Sequence, residues 1–411
     1  MSKVLVVTFN GGGNVPPALG IAVELSRRGH DVRVLGHAEQ RSTFQPAGLR
    51  FEAYRRAAAH TPLDRMSLAR WAADYVGVFL DAGAGVDLVE SLDREEADLV
   101  VVDAMLLGAL HALQTRRGRV RHVVLHHTLH GFMTRGFAPW VRLLSGQRRL
   151  SPTALWARAA RALVPGIPAL EPRVVRAPNT RLTGPVWPAG VSPVPHSGTG
   201  RALVSLSSIF YRGQVETLRE IMTAVADLPV EVVLTTGRAV NPAELDVPRN
   251  VEAHGFLPHR EVLPNVSMVV GHGGFSTTLQ ALAHDLPMVI LPAFTLGDQK
   301  AVGAAVARSG AGLTVRRSAP APVIRDAIAR MLDDGSHRAA AARLGAGCPE
   351  LGGAPAAAVR AGAVHGSAAR AGLVGPGGGR RGLARPRVRC RRRRAGGEGV
   401  PGQAAATRAR R

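Results

Sequence analysis

Val251-Glu-Ala-His-Gly-Phe-Leu-Pro-His259, then Gly271-His-Gly-Gly-Phe-Ser-Thr-Thr-Leu-Gln-Ala-Leu282, Leu286-Pro-Met-Val-Ile-Leu-Pro292 and Gly297-Asp-Gln299 decide how this chain is read. Residues 266–270 (Val-Ser-Met-Val-Val) are a short apolar run that fits a buried strand. Glycines follow at once, and a helical pattern begins at Ser276 and runs to residue 284. A strand, a glycine turn and a helix N-terminus together make an anion site. The first N–H groups of the helix lack helical acceptors, and the dipole favours negative charge there. Ser276, Thr277 and Thr278 bring hydroxyls into that first turn, and His272 can donate to a phosphate oxygen. A diphosphate suits this set.

Working outward, the same alternation of strand and helix recurs. Downstream lie a strand at 288–291 and helices at 301–309 and 322–333; upstream lie a strand at 202–206, a helix at 215–226 and a strand at 230–235. The first half repeats the pattern. Val4-Leu-Val-Val-Thr-Phe9 fits a strand buried on both faces, and a helix at 16–28 opens on Pro16 and Pro17 and stops before Gly29. Strands follow at 31–35, 99–103 and 120–125, while residues 54–96 hold helices and a loop that periodicity does not place. The segment 183–200 is rich in Pro, Gly and Ser and has no period, as a linker does. The expected fold is α/β: two Rossmann-like αβ domains, 1–185 and 201–344, facing across a cleft and joined by a linker at 186–200.

The motif run resembles the donor-binding signature of family 1 glycosyltransferases, which have the GT-B fold, and is most similar to actinobacterial enzymes that glycosylate macrolides and other secondary metabolites. The likeness spans residues 3–343. His-Gly-Gly alone is weak, but His-Gly-Gly-x-Ser-Thr preceded by Phe-Leu-Pro and followed about twenty residues later by Asp-Gln is specific. The resemblance implies that residues 1–185 bind the acceptor and residues 201–344 the nucleotide sugar. It further implies that His272, Gly273, Gly274 and Thr277, with Ser276 beside them, hold the diphosphate, and that Asp298 and Gln299 hold sugar hydroxyls. Ser207 and Ser208, after the strand at 202–206, fall where relatives touch the phosphate, against the plainer reading of a Ser-rich turn. Asp298 also reads as a helix N-cap.

Several positions depart from the family pattern. Gln280 stands where relatives carry a Glu that bonds the ribose hydroxyls. An amide loses the charge-assisted strength of a carboxylate, which suits a deoxyribose donor such as dTDP over UDP. His259 replaces a Gln beside the nucleotide base, and Val302 an Asn. Relatives have Gly-His-x-x-Pro after the first strand, the His being the general base. Here the run is Gly13-Asn14-Val15-Pro16-Pro17, and an amide cannot take a proton near neutral pH. Asp103 matches the orienting Asp and, with no such His, is expected to serve as base itself, against a plainer role of capping the next helix. His126, His127 and His130 face the same cleft on this reading, and His127 is the preferred replacement. Gly11-Gly12-Gly13 is too irregular for a dinucleotide fingerprint and reads as room for an acceptor beside the backbone.

No His/Asp/Glu cluster has metal-ligand spacing and there is no Asp-x-Asp, so the expectation is an inverting, metal-independent, hexosyltransferase-type enzyme without cofactor. Its co-substrate is a nucleotide-diphosphate sugar carrying a (deoxy)sugar, its partner a small natural-product aglycone in antibiotic or other secondary metabolism, and a homodimer is allowed. A nucleotide-sugar epimerase of the same fold and a donor-binding auxiliary protein without turnover are the alternatives.

The net charge of +22 invites a nucleic-acid reading, but its distribution argues against one. Residues 345–411 hold 14 Arg against 2 Glu and no Ile, Phe, Tyr, Trp, Lys or Asp. Such a segment is expected to be disordered, offering no helix after Leu344 to cross back onto the first domain. Its abrupt composition resembles out-of-frame translation of a GC-rich gene, a genuine basic tail being the other reading. Arg391 to Arg394 have no interleaved aromatics for base stacking. Both cysteines, Cys348 and Cys390, lie there, so no disulfide framework is expected. The start reads directly into a strand without a leader, and no apolar run approaches about 18 residues. A soluble cytoplasmic protein without a membrane span is expected.

Overall fold

Apolar runs such as Leu99-Val-Val-Val-Asp103 are uniform because both faces of the strands they form are covered. In β1 (Lys3–Val7), Val4 and Val6 pack with the helix Val15–Arg27, whereas Leu5 and Val7 join the core under the opposite helices. The computed structural model describes residues 1–64, 67–146, 150–171, 176–186, 200–294 and 297–362. The first sheet adds β2 (Asp31–Gly36), β3 (Arg50–Ala53), β4 (Leu99–Asp103), β5 (Arg121–Leu125), β6 (Arg161–Val164) and β7 (Thr180–Leu182), in the order β3-β2-β1-β4-β5-β6-β7. All its pairs are parallel.

The second sheet holds β8 (Arg201–Ser205), β9 (Glu231–Thr235), β10 (Val251–His254), β11 (Met268–Gly271), β12 (Met288–Ile290) and β13 (Gly312–Thr314). Its order is β10-β9-β8-β11-β12-β13, again parallel throughout. Each sheet changes direction of winding once, between β1 and β4 and between β8 and β11. Loops leaving the carboxyl ends of strands at such a switch point diverge and open a crevice. Both sheets belong to one compact unit, and the crevices share a cavity described below. This is the expected pair of Rossmann-like αβ folds.

One expectation fails. Ordered chain does not stop at Leu344. The helix Gly335–Ala346 runs past it, Cys348 is buried, and a further helix, Gly353–Gly362, packs on Val15–Arg27 of the first half. Ala354, Ala357, Ala358 and Ala361 line the seam, where alanine lets two helix backbones approach closely and still excludes water. Arg360 donates to the Leu182 carbonyl and Arg28 to that of Pro355. Lack of large apolar residues was therefore a poor guide to disorder here. Most of the expected linker, 187–199, and the Arg-rich 363–411 lie outside the described residues. Among the described residues no helix is long and apolar enough to cross a membrane.

Candidate active site

The diphosphate-type turn forms as its residues dictate. Gly273 has φ +84°, and a Cβ there would meet Ile290 at 2.9 Å and the Gln299 carbonyl at 3.0 Å. A Cβ on Gly274 would lie 2.7 Å from Nε2 of His272, so the missing side chain lets the imidazole lie over the helix N-terminus. The helix is Phe275–Ala283, and Gly274, at its N-cap, supplies no side chain to occupy the first N–H groups. Thr278 N–H is bonded back to Gly274 O at 2.9 Å, leaving the preceding N–H groups to face the cavity. Burial, then the neighbouring His259, pushes the His272 imidazole down to about 3, and burial pushes His259 down to about 4. Both are neutral at pH 7, when each ring carries one N–H.

One cavity of about 760 Å³ gathers Ser207, Ser208, His259, His272, Gly274, Ser276, Thr277, Gln280, Asp298 and Gln299 from the second half with Asn14 and His127 from the first. Ser207 Oγ accepts from Ile209 N–H at 3.1 Å, while Ser208 is exposed to the cavity. His259 Nε2 meets Ser205 Oγ at 3.1 Å, a partner the sequence reading passed over. Gln280 donates to Ser276 O and Oγ. Two expectations need correction. Gly273 does not line the cavity; it turns the chain behind it. Thr278 is fully buried and turned away.

Gln299 is already engaged. Its Oε1 accepts from Ala293 and Phe294 N–H at 2.7 and 2.9 Å, and its Nε2 donates to Tyr211 OH at 2.8 Å. Asp298 sits at the N-cap of Gln299–Arg308 but makes no side-chain cap; its Oδ2 instead accepts from Thr128 Oγ1 of the first half. Burial raises the Asp298 carboxyl, opposed by the Thr128 bond and the charge of His127.

The first half sets a histidine against a buried carboxylate. Nδ1 of His127, at the end of β5, lies 3.2 Å from Oδ2 of Asp103, at the end of β4. The contact is a charge pair by distance, with Nδ1 off the ideal hydrogen-bond direction. Burial alone would lower the His127 imidazole, but the charge and bonding of Asp103, with Asp298 behind, outweigh it and raise the value above 6.5. Asn14 Nδ2 donates to the same Asp103 oxygen at 3.1 Å, to Phe9 O and to Thr8 Oγ1, while its Oδ1 accepts from Gly11 N–H. Asp103 Oδ1 takes Met105 N–H at 2.9 Å.

Asp103, expected to serve as base itself, does not line the cavity. The carboxylate is 3 % exposed, spoken for on both oxygens, and stands behind His127 rather than on the cavity wall. His126 and His130 do not face the cavity either. Their rings pack on each other and His126 on Trp156, 4.9 Å away, with no partner for any ring nitrogen among the described residues. Gly12, at φ +77°, brings the first half against Ile209 and Ser208, where a Cβ would sit at 3.0 and 3.3 Å.

Sequence reasoning missed the aromatic lining. Of 10 Phe, 4 Trp and 3 Tyr in the chain, eleven border this cavity, among them Phe9, Trp71, Tyr75, Phe79, Phe137 and Trp140. Concentration of a scarce residue type in one place marks it as a site; the signal was the Trp71/Tyr75/Phe79 spacing inside the unplaced 54–96 stretch.

With this geometry in hand, comparison with known proteins is informative. Residues 219–350 match the family model described as "Erythromycin biosynthesis protein CIII-like, C-terminal domain". The chain is 28% identical to a 4'-demethylrebeccamycin synthase from Lentzea aerocolonigenes over 84% of its own length and 94% of the relative's. Among solved structures, a calicheamicin glycosyltransferase superposes with TM-score 0.73 at 23% identity, covering 90% of this chain and 99% of that one. The glycosyltransferase VinC in complex with dTDP superposes with TM-score 0.66 at 23% identity, covering 88% and 99%. These superpositions establish the GT-B fold.

Proposed function

We propose that this chain, a family 1 glycosyltransferase of the GT-B fold, moves a sugar from a nucleoside-diphosphate donor to a hydroxyl of a natural-product aglycone, with inversion and without a metal. One observation carries the reading: a His–carboxylate pair and an open helix N-terminus border a single cavity. The aglycone oxygen loses its proton to Nε2 of His127 as it bonds to the anomeric carbon from the face opposite the diphosphate. The bond from that carbon to the diphosphate oxygen breaks, and the electron pair leaves with the diphosphate.

The first turn of Phe275–Ala283, with Ser276, Thr277, Ser208 and His272, supplies donors to the departing charge, the role a metal fills in other transferases. Asp103 stabilises the imidazolium that forms and fixes the ring, and Asn14 fixes Asp103. Asp298 is the sugar-facing group; it would leave Thr128 to accept from a sugar hydroxyl. Gln280 offers an amide to a ribose carrying one hydroxyl fewer, which favours dTDP. The intact His127–Asp103 pair favours catalysis over a donor-binding auxiliary role.

The test is direct. Purified protein is incubated with dTDP-glucose, EDTA and a panel of hydroxylated aglycones, and mass spectrometry reads the glycoside and dTDP. Glycoside formed in EDTA supports the proposal. Tight dTDP binding without product from any aglycone would favour the auxiliary role, and a strict Mg²⁺ requirement would remove the metal-free mechanism.

A further inference from the structure

Two aromatic ridges frame the part of the cavity beyond His127. The helix Leu68–Phe79 carries Trp71, Tyr75 and Phe79 at intervals of four, so all three stand on one face. Opposite, Phe132, Phe137 and Trp140 come from the segment after β5, where a π-helical turn, Met133–Phe137, brings residues five apart onto one side. The ridges meet at Phe79 and Phe137, whose ring centroids are 5.2 Å apart. The first ridge continues upward through Tyr75 and Trp71, 4.3 Å apart, to Phe294 of the second half, 4.1 Å from Trp71. Apart from His127, this half of the cavity has no lining residue that carries charge at neutral pH; Phe9, Val15, Leu19, Met105 and Gly136 fill it.

A second, independent feature points to what enters. Trp71 Nε1 and Tyr75 OH are both buried without a hydrogen-bond partner among the described residues. An orphaned donor in an apolar wall is costly, and two of them on one ridge call for acceptor atoms on the ligand. We propose that the aglycone is a neutral, flat, polycyclic aromatic phenol, and that the Trp71 and Tyr75 rings, whose donor atoms have no accessible surface of their own, turn as it enters so that its ring carbonyl oxygens accept from them. This rests on the transferase reading and narrows its acceptor. Extended π faces stack on ring walls, whereas a puckered aliphatic macrolactone offers them only edges. The phenol oxygen presented to His127 is also more acidic than an alcohol, which eases the proton transfer.

Calorimetric titration of the full chain with three probes tests this: 1,8-dihydroxyanthraquinone, anthracene-1,8-diol (the same frame without carbonyls), and a 14-membered macrolactone aglycone. The quinone is expected to bind at least about tenfold more tightly than the macrolactone. It should exceed the diol by about three- to tenfold, as hydrogen bonds to two orphaned donors predict. Tyr75→Phe keeps the ring and removes only the donor, so it should narrow the quinone–diol gap while leaving diol affinity within twofold; Trp71→Phe also loses stacking surface, so it should weaken both probes and still narrow the gap. Macrolactone binding as tight as the quinone, or a gap unchanged in both variants, would overturn the proposal. A parallel dTDP titration separates the two levels. Bound dTDP with a failed quinone preference removes only the aromatic acceptor, whereas quinone binding without dTDP binding would contradict the transferase reading.

Discussion

Nδ1 of His127 lies 3.2 Å from Oδ2 of Asp103, and that same oxygen accepts from Nδ2 of Asn14 at 3.1 Å. The relatives' base position after the first strand is thus filled by an amide that braces the carboxylate from one side, while a histidine from a different strand end approaches it from the other.

Asp103→Asn should therefore lower transfer without touching donor binding, since it acts through His127. The pH profile carries the diagnostic. On the proposed mechanism the free imidazole of His127 is the base, and its value is raised above 6.5 by Asp103 and Asp298 against the effect of burial. Activity should rise with pH along a limb lying above 6.5, and in Asp103→Asn that limb should shift to lower pH as the charge is removed. A limb that stays put would show that Asp103 does not set the base. Asn14→Ala, which removes only the brace, should cost less than about tenfold in turnover.

His272 should matter for binding, not for proton transfer. His272→Ala is expected to weaken dTDP binding by about 1.5–3 kcal/mol, the range for a hydrogen bond to a charged acceptor. An unchanged dissociation constant by calorimetry would remove His272 from the diphosphate site.

Stability should fall on mild acidification. Burial holds His272 down to about 3 and His259 down to about 4, and lowers His126, His130, His37 and His122 as well. His272 and His259 stay neutral when folded over this range and burial disfavours the charged form of the other four, whereas each takes a proton near pH 6.5 when unfolded. The unfolded state then binds more protons, so stability declines as pH drops below 6.5. Each fully depressed histidine contributes at most about 1.4 kcal/mol per pH unit. For His259 this runs from 6.5 down to about 4. Urea midpoints at pH 7.5 and 5.5 should differ clearly, and bound dTDP should restore part of the loss. Equal midpoints would contradict the burial of these rings.

The seam between Val15–Arg27 and Gly353–Gly362 can be tested at Ala357, which has no exposed surface. Ala357→Glu forces volume and an unpaired charge between the helices and should cost about 3 kcal/mol or more. Stability within about 0.5 kcal/mol of the parent by chemical denaturation would show that this helix is not docked.

Much of this was legible before any coordinates. Uniform apolar runs such as Leu99 to Val102 announce strands covered on both faces, and Gly273 and Gly274 announce a turn where side chains do not fit. The glycine turn and the open helix N-terminus followed from that local chemistry. The contact of His127 with Asp103 did not, because the two are 24 positions apart and meet only through the parallel pairing of β4 with β5. Three histidines within five residues look alike in sequence; alternation of side chains past the end of β5 sends His126 into the core and His127 to the cavity, and the turn that follows puts His130 in the core. The closing helix was missed because alanine carries little hydrophobic signal, although close backbone approach makes it effective in a helix seam.

The measurement that bears most directly on the central claim is the single-turnover rate of sugar transfer by His127→Ala at saturating donor, with dTDP affinity measured on the same preparation. The account predicts a fall of about 10²–10⁴-fold in rate, the range for a general base, at an unchanged dTDP dissociation constant. A rate within about twofold of the parent, with dTDP bound equally well, would contradict it.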